Sequence, residues 1–160
     1  MTQNTQDDIK KIIEIEKRLV SIIEATPDLT AIADFDGNIQ YLNKAGREMA
    51  GISQDEGISG RNLSGFIPEH EMKLLFDEVI PAAIKNGAWS GESIIITKDK
   101  KEIFVLMVCI SHKTSEGALS HISMIARDIS ERKKMEDKLK EELDIISRFN
   151  KVMVGRELEL

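Results

Sequence analysis

The chain has 160 residues, 41% of them hydrophobic and 31% charged, with a net charge of −6. That apolar content supports a packed core and excludes a disordered chain, while the acidic balance gives nucleic acid or an anionic membrane no electrostatic attraction. The single cysteine, Cys109, excludes an internal disulfide and a paired-cysteine metal site, and a polar, acidic N-terminus with no apolar run of membrane length predicts a cytoplasmic location, alone or as the soluble segment of a membrane receptor.

Residues 7–25, DDIKKIIEIEKRLVSIIEA, predict a helix. Ile12, Ile15, Leu19 and Ile22 recur at spacings of three and four, and Ile9, Ile13, Val20 and Ile23 widen that stripe. Such a stripe needs a partner surface, a sheet or a second helix. Pro27 stops the helix. LTAIAD (29–34) and NIQYLN (38–43) predict two strands, with Asp36-Gly37 as the tight turn between them. KAGREMAG predicts a short helix closed by Gly51.

After an irregular stretch, Pro68 opens a longer helix, with Glu69 and Glu71 at its positive end. Met72, Leu75, Phe76, Val79, Ala83 and Ile84 are expected on one face of it. Pro81 interrupts this pattern, and an interior proline costs about 3 kcal/mol. A kink or restart is therefore expected there. Three strands follow, SGESIIITK (90–98), EIFVLMVCISH (102–112) and LSHISMIARD (119–128), joined by short turns as an antiparallel meander. From Ile129 to about Val154 the pattern is helical again, with Met135, Leu139, Leu143, Ile146, Phe149 and Met153 at spacings of mostly three and four.

This order predicts an α+β fold: one five-stranded antiparallel sheet, helices on one of its faces, and an amphipathic helix at each end. The run IFVLMVCI (103–110) does not alternate, so both faces of that strand need cover. Ile103, Val105, Met107 and Cys109 are expected to face the central helices. Phe104, Leu106, Val108 and Ile110 face the other way, and burying each is worth about 1.5–3 kcal/mol. The N-terminal helix, through Ile12, Ile15, Leu19 and Ile22, is the expected cover, from this chain or from a partner chain.

The motifs DFDGNIQYLNKAG, GAWSGE, TKD and ARDISERKKME, in this order, resemble the PAS domain, a sensory module of many bacterial and archaeal signalling proteins. The resemblance spans about residues 20–134. It departs at Lys100, where the family usually has glycine, so a different turn type is expected. The resemblance implies a helix at 1–25, a core at 26–130 and a signalling helix or linker at 131–160. It also implies a sensor or relay module of a larger transducer, such as a sensor histidine kinase. Such a module works as a homodimer through its flanking helices, with a downstream kinase or other effector domain. No nucleotide-binding glycine loop, nucleophile–base pair or metal spacing is present in the sequence, and no catalytic role is expected.

By the same resemblance, a ligand cavity is expected between the sheet and the long helix. Ile32, Phe66, Leu75, Phe76, Val79, Ile95, Met107, Cys109 and Met124 would line it, and an apolar small molecule would suit it. Its alternative is a closed core. Asp128, Ile129 and Arg132 sit at the joint between last strand and output helix, where Asp128 either caps the helix or serves the relay. A flavin photoadduct lacks its cysteine, since Leu63 stands at that position. Haem is unsupported: His70 lies in the first turn of the long helix, His112 at a strand end and His121 within the last strand. The competing functions are a ligand-free dimerisation or spacer module and a haem-based gas sensor.

Overall fold

The computed structural model describes residues 2–159. They divide into two compact units, one ending at Asp128 and one beginning at Ile129. In the first, α1 (Gln3–Ala25) is followed by β1 (Leu29–Asp34), β2 (Ile39–Leu42) and α2 (Lys44–Ala50). A 3₁₀ turn (Leu63–Phe66) then leads into α3 (Glu69–Leu74), a π-helical segment (Leu75–Val79) and α4 (Ile80–Asn86). β3 (Ala88–Ile96), β4 (Glu102–Lys113) and β5 (Leu119–Asp128) complete this unit, and α5 (Ser130–Glu159) forms the second.

The five strands form one antiparallel sheet in the order β2-β1-β5-β4-β3. The β1–β2 turn is built by Asp34, whose Oδ1 accepts the N–H groups of Asp36 and Asn38 at 3.0 and 2.9 Å. Gly37 supplies the positive φ of 83° that the turn needs. Asn43 caps α2 by accepting the Gly46 N–H at 2.8 Å, and Gly51 closes that helix at φ 76°.

Pro81 has the expected consequence in a particular form. The helix widens into the π-helical segment just before it, where the Ile80 N–H bonds the Leu75 carbonyl, and α4 restarts with the proline in its first turn. A wide turn moves aside the Asp77 carbonyl, which the proline ring can neither bond nor clear. It also winds more than four residues per turn, so side chains four apart align. Leu75, Val79 and Ala83 are accordingly buried in the core, whereas Phe76 is 58% exposed. The single face expected to include Phe76 is thus corrected.

The strand parity of β4 is as expected. Ile103, Val105, Met107 and Cys109 are buried, and they pack with Leu75, Val79, Met124 and Ala126 in one core cluster. A second cluster joins Ala31, Ile39 and Leu42 to Ala50 and Ile52.

The cover expected on the opposite face from the chain's own first helix is not there. Phe104 and Leu106 remain 43% and 39% exposed, and no residue of α1 is buried. The last turn of α1 is instead fastened beside β2 and α2. Asn43 Nδ2 donates to the carbonyls of Ile23 and Asp28 at 2.8 and 2.9 Å, and the Glu24 carboxylate accepts from Tyr41 Oη and from the Lys44 N–H. Held there, with Pro27 ending the helix, α1 keeps its stripe open to solvent: Ile12, Ile15, Leu19 and Ile22 are all more than half exposed. Among the described residues no helix is long and apolar enough to cross a membrane.

The turn at Lys100 keeps a positive φ of 66° despite the lysine. Thr97 secures it: its N–H donates to the Lys101 carbonyl, its carbonyl accepts the Lys100 N–H, and its Oγ1 accepts the Lys101 N–H. These bonds outweigh the steric penalty of a Cβ in the left-handed region, and the expected change of turn type does not occur.

Candidate functional site

Between the sheet and the helical layer lies a cavity of about 40 Å³. Four of the expected residues line it: Phe66, Ile95, Met107 and Met124. Leu75 and Val79 line an adjoining void of about 10 Å³, which shares Ile95, Met107 and Met124 with the first. Phe76 lines neither. Its ring stands at a separate cleft of about 60 Å³ that opens beside the β1–β2 turn.

Two expected residues, Ile32 and Cys109, line neither of these voids nor the cleft. Ile32 pairs with Ser123 and Tyr41, on the sheet face opposite the core. The parity of β1 puts Leu29, Ala31 and Ala33 inward, and Ala31 and Leu29 are the residues that line the cavity. The sequence carries that signal, because Thr30 and Asp34 share the parity of Ile32 and mark it as the outer row. Cys109 is wholly buried within the packed core rather than at a void, and burial pushes its thiol up to about 11. A thiol so held is a poor nucleophile and a poor redox sensor. From β2, Ile39 and Leu42 also line the cavity, and Ala50 on α2 closes its far side.

The lining of the main cavity is apolar throughout. Ligand pockets run to roughly 300–1,000 Å³, whereas a water occupies about 30 Å³ in the liquid. This interior is therefore closed to a cofactor in the conformation described. No histidine lines it. His70 lies on the surface with a side chain 57% exposed, 4.0 Å from Glu102, and His112 Nε2 is 2.7 Å from Ser123 Oγ on the outer sheet face. The residues present do not fit haem.

The end of β5 is tied to the start of β1. Arg127 donates from Nε and Nη2 to the two oxygens of Asp28 at 3.0 and 2.9 Å. Such a forked pair fixes geometry as well as charge. The next residue, Asp128, is the last of β5 and faces Val105 across the ladder. Asp128 also lines a surface groove with Glu24, Lys44 and Lys101. Within α5, Arg132 Nε lies 3.3 Å from Glu136 Oε1, and the Lys133 N–H bonds the Ile129 carbonyl. Ile129 is buried.

Asn43 is the feature that the sequence reading passed over. It is fully buried, and its amide makes four hydrogen bonds: it accepts from Thr30 and Gly46 and donates to Ile23 and Asp28. One side chain thus joins the end of α1, the start of β1 and the start of α2. Its place just before KAGREMA was the available signal, since asparagine favours that position.

The family model described as the PAS fold matches residues 17–129. Among solved structures, a PAS domain from Colwellia psychrerythraea is 22% identical, with 73% of this chain and 98% of that one covered at a TM-score of 0.67. A sensory box histidine kinase/response regulator from Burkholderia thailandensis E264 is 14% identical, with 82% and 98% covered at a TM-score of 0.63. The PAS domain of an HTR-like protein from Haloarcula marismortui is 19% identical, with 78% and 99% covered at a TM-score of 0.57. At these identities the likenesses establish the fold alone. No curated protein matches the chain in sequence.

Proposed function

Because the chain belongs to the PAS fold family, matching its model over residues 17–129, we propose that it acts as a sensor or signal-relay module of a larger transducer, of which a sensor histidine kinase is the leading example. In this reading residues 26–130 are the sensing core, and residues 1–25 and 131–160 are helices that pair with those of a second copy. A change in the core or at the pairing surface passes along β5 to Asp128 and Ile129, and from there into α5. Relay of this kind needs two arrangements of the joint whose balance the signal shifts.

The observation that carries the reading is the state of α1. It is a 23-residue helix with no buried residue, and Ile12, Ile15, Leu19 and Ile22 follow the alternating three-and-four spacing of a helix-pairing seam. α5 adds a second exposed row in Met135, Leu139, Leu143, Ile146 and Phe149. Sedimentation of the full chain is expected to show a dimer at micromolar concentration, and the double variant Ile15→Glu, Leu19→Glu is expected to be monomeric. A wild-type chain that stays monomeric at the highest soluble concentration would remove the basis for relay through paired helices.

A second reading is favoured by the 40 Å³ cavity: a ligand-free dimerisation or spacer module. Native mass spectrometry of the purified protein separates the two, since a co-purifying apolar molecule supports sensing. The cytoplasm is the compartment that this reading assumes.

A further inference from the structure

Where β1 turns into β2, two phenylalanines stand at one surface opening. Phe35, on the turn, and Phe76, on the π-helical segment, both line the cleft of about 60 Å³ while staying 48% and 58% exposed. Leu63, Met72 and Ile80 add apolar wall. The charged side chains on the cleft are the carboxylates of Asp34 and Asp36, and no lysine, arginine or histidine among the described residues lines it. Aromatic rings and unanswered carboxylates thus share one opening.

The two acids are held differently. Asp34 Oδ1 accepts the N–H groups of Asp36 and Asn38, and its Oδ2 accepts Asn38 Nδ2 at 3.0 Å. These bonds, led by that of the Asn38 side chain, keep its carboxyl below the usual carboxylate range, so it is charged at neutral pH. Asp36 uses its N–H on Asp34 and its carbonyl on Asn62, while its carboxylate has no hydrogen bond or ion pair among the described residues. Asn62 Nδ2 also lies 3.2 Å from Asn38 Oδ1, which ties the β1–β2 turn to the start of the 3₁₀ turn. The rim is therefore set before anything binds, and a preformed rim lowers the entropy cost of binding.

We propose that this cleft is a docking site for an arginine side chain of a partner protein. The face of an aromatic ring attracts a cation, and two carboxylates beside it add to that attraction. A guanidinium suits these walls better than an ammonium, because it is planar, stacks on rings and leaves water more readily. Its size also fits. A water-sized group needs about 10–15 Å³ of such space, so the cleft admits about four, enough for the heavy atoms of a guanidinium. The alkyl stem then lies at the mouth between Phe35 and Phe76. Free arginine fits less well, because its α-carboxylate would meet Asp34 and Asp36 with no cation to receive it. An arginine within a polypeptide carries no such carboxylate. Docking there leaves the interior closed and needs no pairing of the terminal helices.

The test titrates the ¹⁵N-labelled full chain at low salt with N-acetyl-arginine methylamide, a single arginine capped as it is within a chain. Amide shifts are expected at Asp36, Gly37 and Ser64, saturating at millimolar concentration and weakening as salt is added. The citrulline counterpart, similar in shape but uncharged, is expected to bind at least ~5-fold more weakly. Asp36→Asn and Phe76→Ala, both at exposed positions, are each expected to weaken binding ~2–5-fold. Glu116→Gln, on the β4–β5 turn, is expected to leave it unchanged. Free arginine is expected to bind more weakly than the capped form. Equal binding of the citrulline probe overturns recognition of the charge. Shifts that lie elsewhere, or that neither Asp36→Asn nor Phe76→Ala reduces, overturn the site. Free arginine binding as tightly as the capped form overturns the assignment to a protein partner, and no response to either form overturns the proposal as a whole.

Discussion

Asn43 shows how much a single amide can organise. Removing its side chain strands two N–H groups and two carbonyls in a buried place, and each stranded group costs about 1–3 kcal/mol where water cannot reach it. Asn43→Ala is therefore expected to lose about 3 kcal/mol or more of stability in urea unfolding. Asn43→Asp keeps the two acceptor bonds that start β1 and α2 but faces a carboxylate to the Ile23 and Asp28 carbonyls. It is expected to loosen the end of α1 selectively, visible as faster amide exchange at Thr26, whose N–H bonds the Ile22 carbonyl.

Lys100 makes the opposite point. Its φ of 66° puts a Cβ where only glycine is comfortable, at a cost of about 1–2 kcal/mol. Lys100→Gly is expected to raise stability by about 1 kcal/mol, less than the full strain because glycine gains freedom in the unfolded chain. Tyr41 gives a pH dependence. Burial, with the hydrogen bond and charge of Glu24, pushes its hydroxyl up to about 12 from an ordinary value of 10.0. The folded state thus holds the proton longer than the unfolded one, so this contribution is complete below pH 10 and is lost as the pH rises toward 12. Tyr41→Phe is expected to abolish that alkaline loss relative to wild type in urea titrations at stepped pH. Lys100 was legible as a departure from pattern, but its φ was not, because the Thr97 bonds that enforce it form only once β3 and β4 are paired.

Among the elements, the strands and the restart near Pro81 could be read from periodicity and turn residues. The π-helical segment could not. Proline announces that a bond is missing, and only packing against the sheet decides how the preceding turn absorbs the loss. That choice moved Phe76 out of the core and left Leu75, Val79 and Ala83 in it. α1 was legible as a helix from its stripe, yet an isolated helix of this length is marginal in water. Amide exchange along α1 is therefore expected to slow with protein concentration from Ile9 to Leu19, and to be independent of concentration in its last turn, where Asn43 and Glu24 hold it. Uniform, concentration-independent protection would mean that the chain holds the whole helix unaided.

Among the described residues, three exposed apolar surfaces stand out: the stripe of α1, the row along α5 from Met135 to Phe149, and the sheet face around Phe104 and Leu106. If α1 of a second copy covers that face, Phe104→Glu and Leu19→Glu are each expected to weaken the dimer ~10-fold or more, and the double variant to fall short of the product of the two. Independent, multiplicative effects would assign the two surfaces to different partners.

The pairing of polar and apolar residues along the chain was enough to determine the strands, the two terminal helices, the meander and the inward row of β4, because those follow from backbone periodicity and turn chemistry within a few residues. The route of α1, the register of β1 on β5 and the size of the interior were decided only in three dimensions. Each depends on groups distant in sequence meeting with a definite geometry: Asn43 on Ile23, Ala31 opposite Met124, and the small side chains of Ala31 and Ala50 beside Met107. Volumes and contacts of that kind are properties of the packed solid, and a one-dimensional pattern does not contain them.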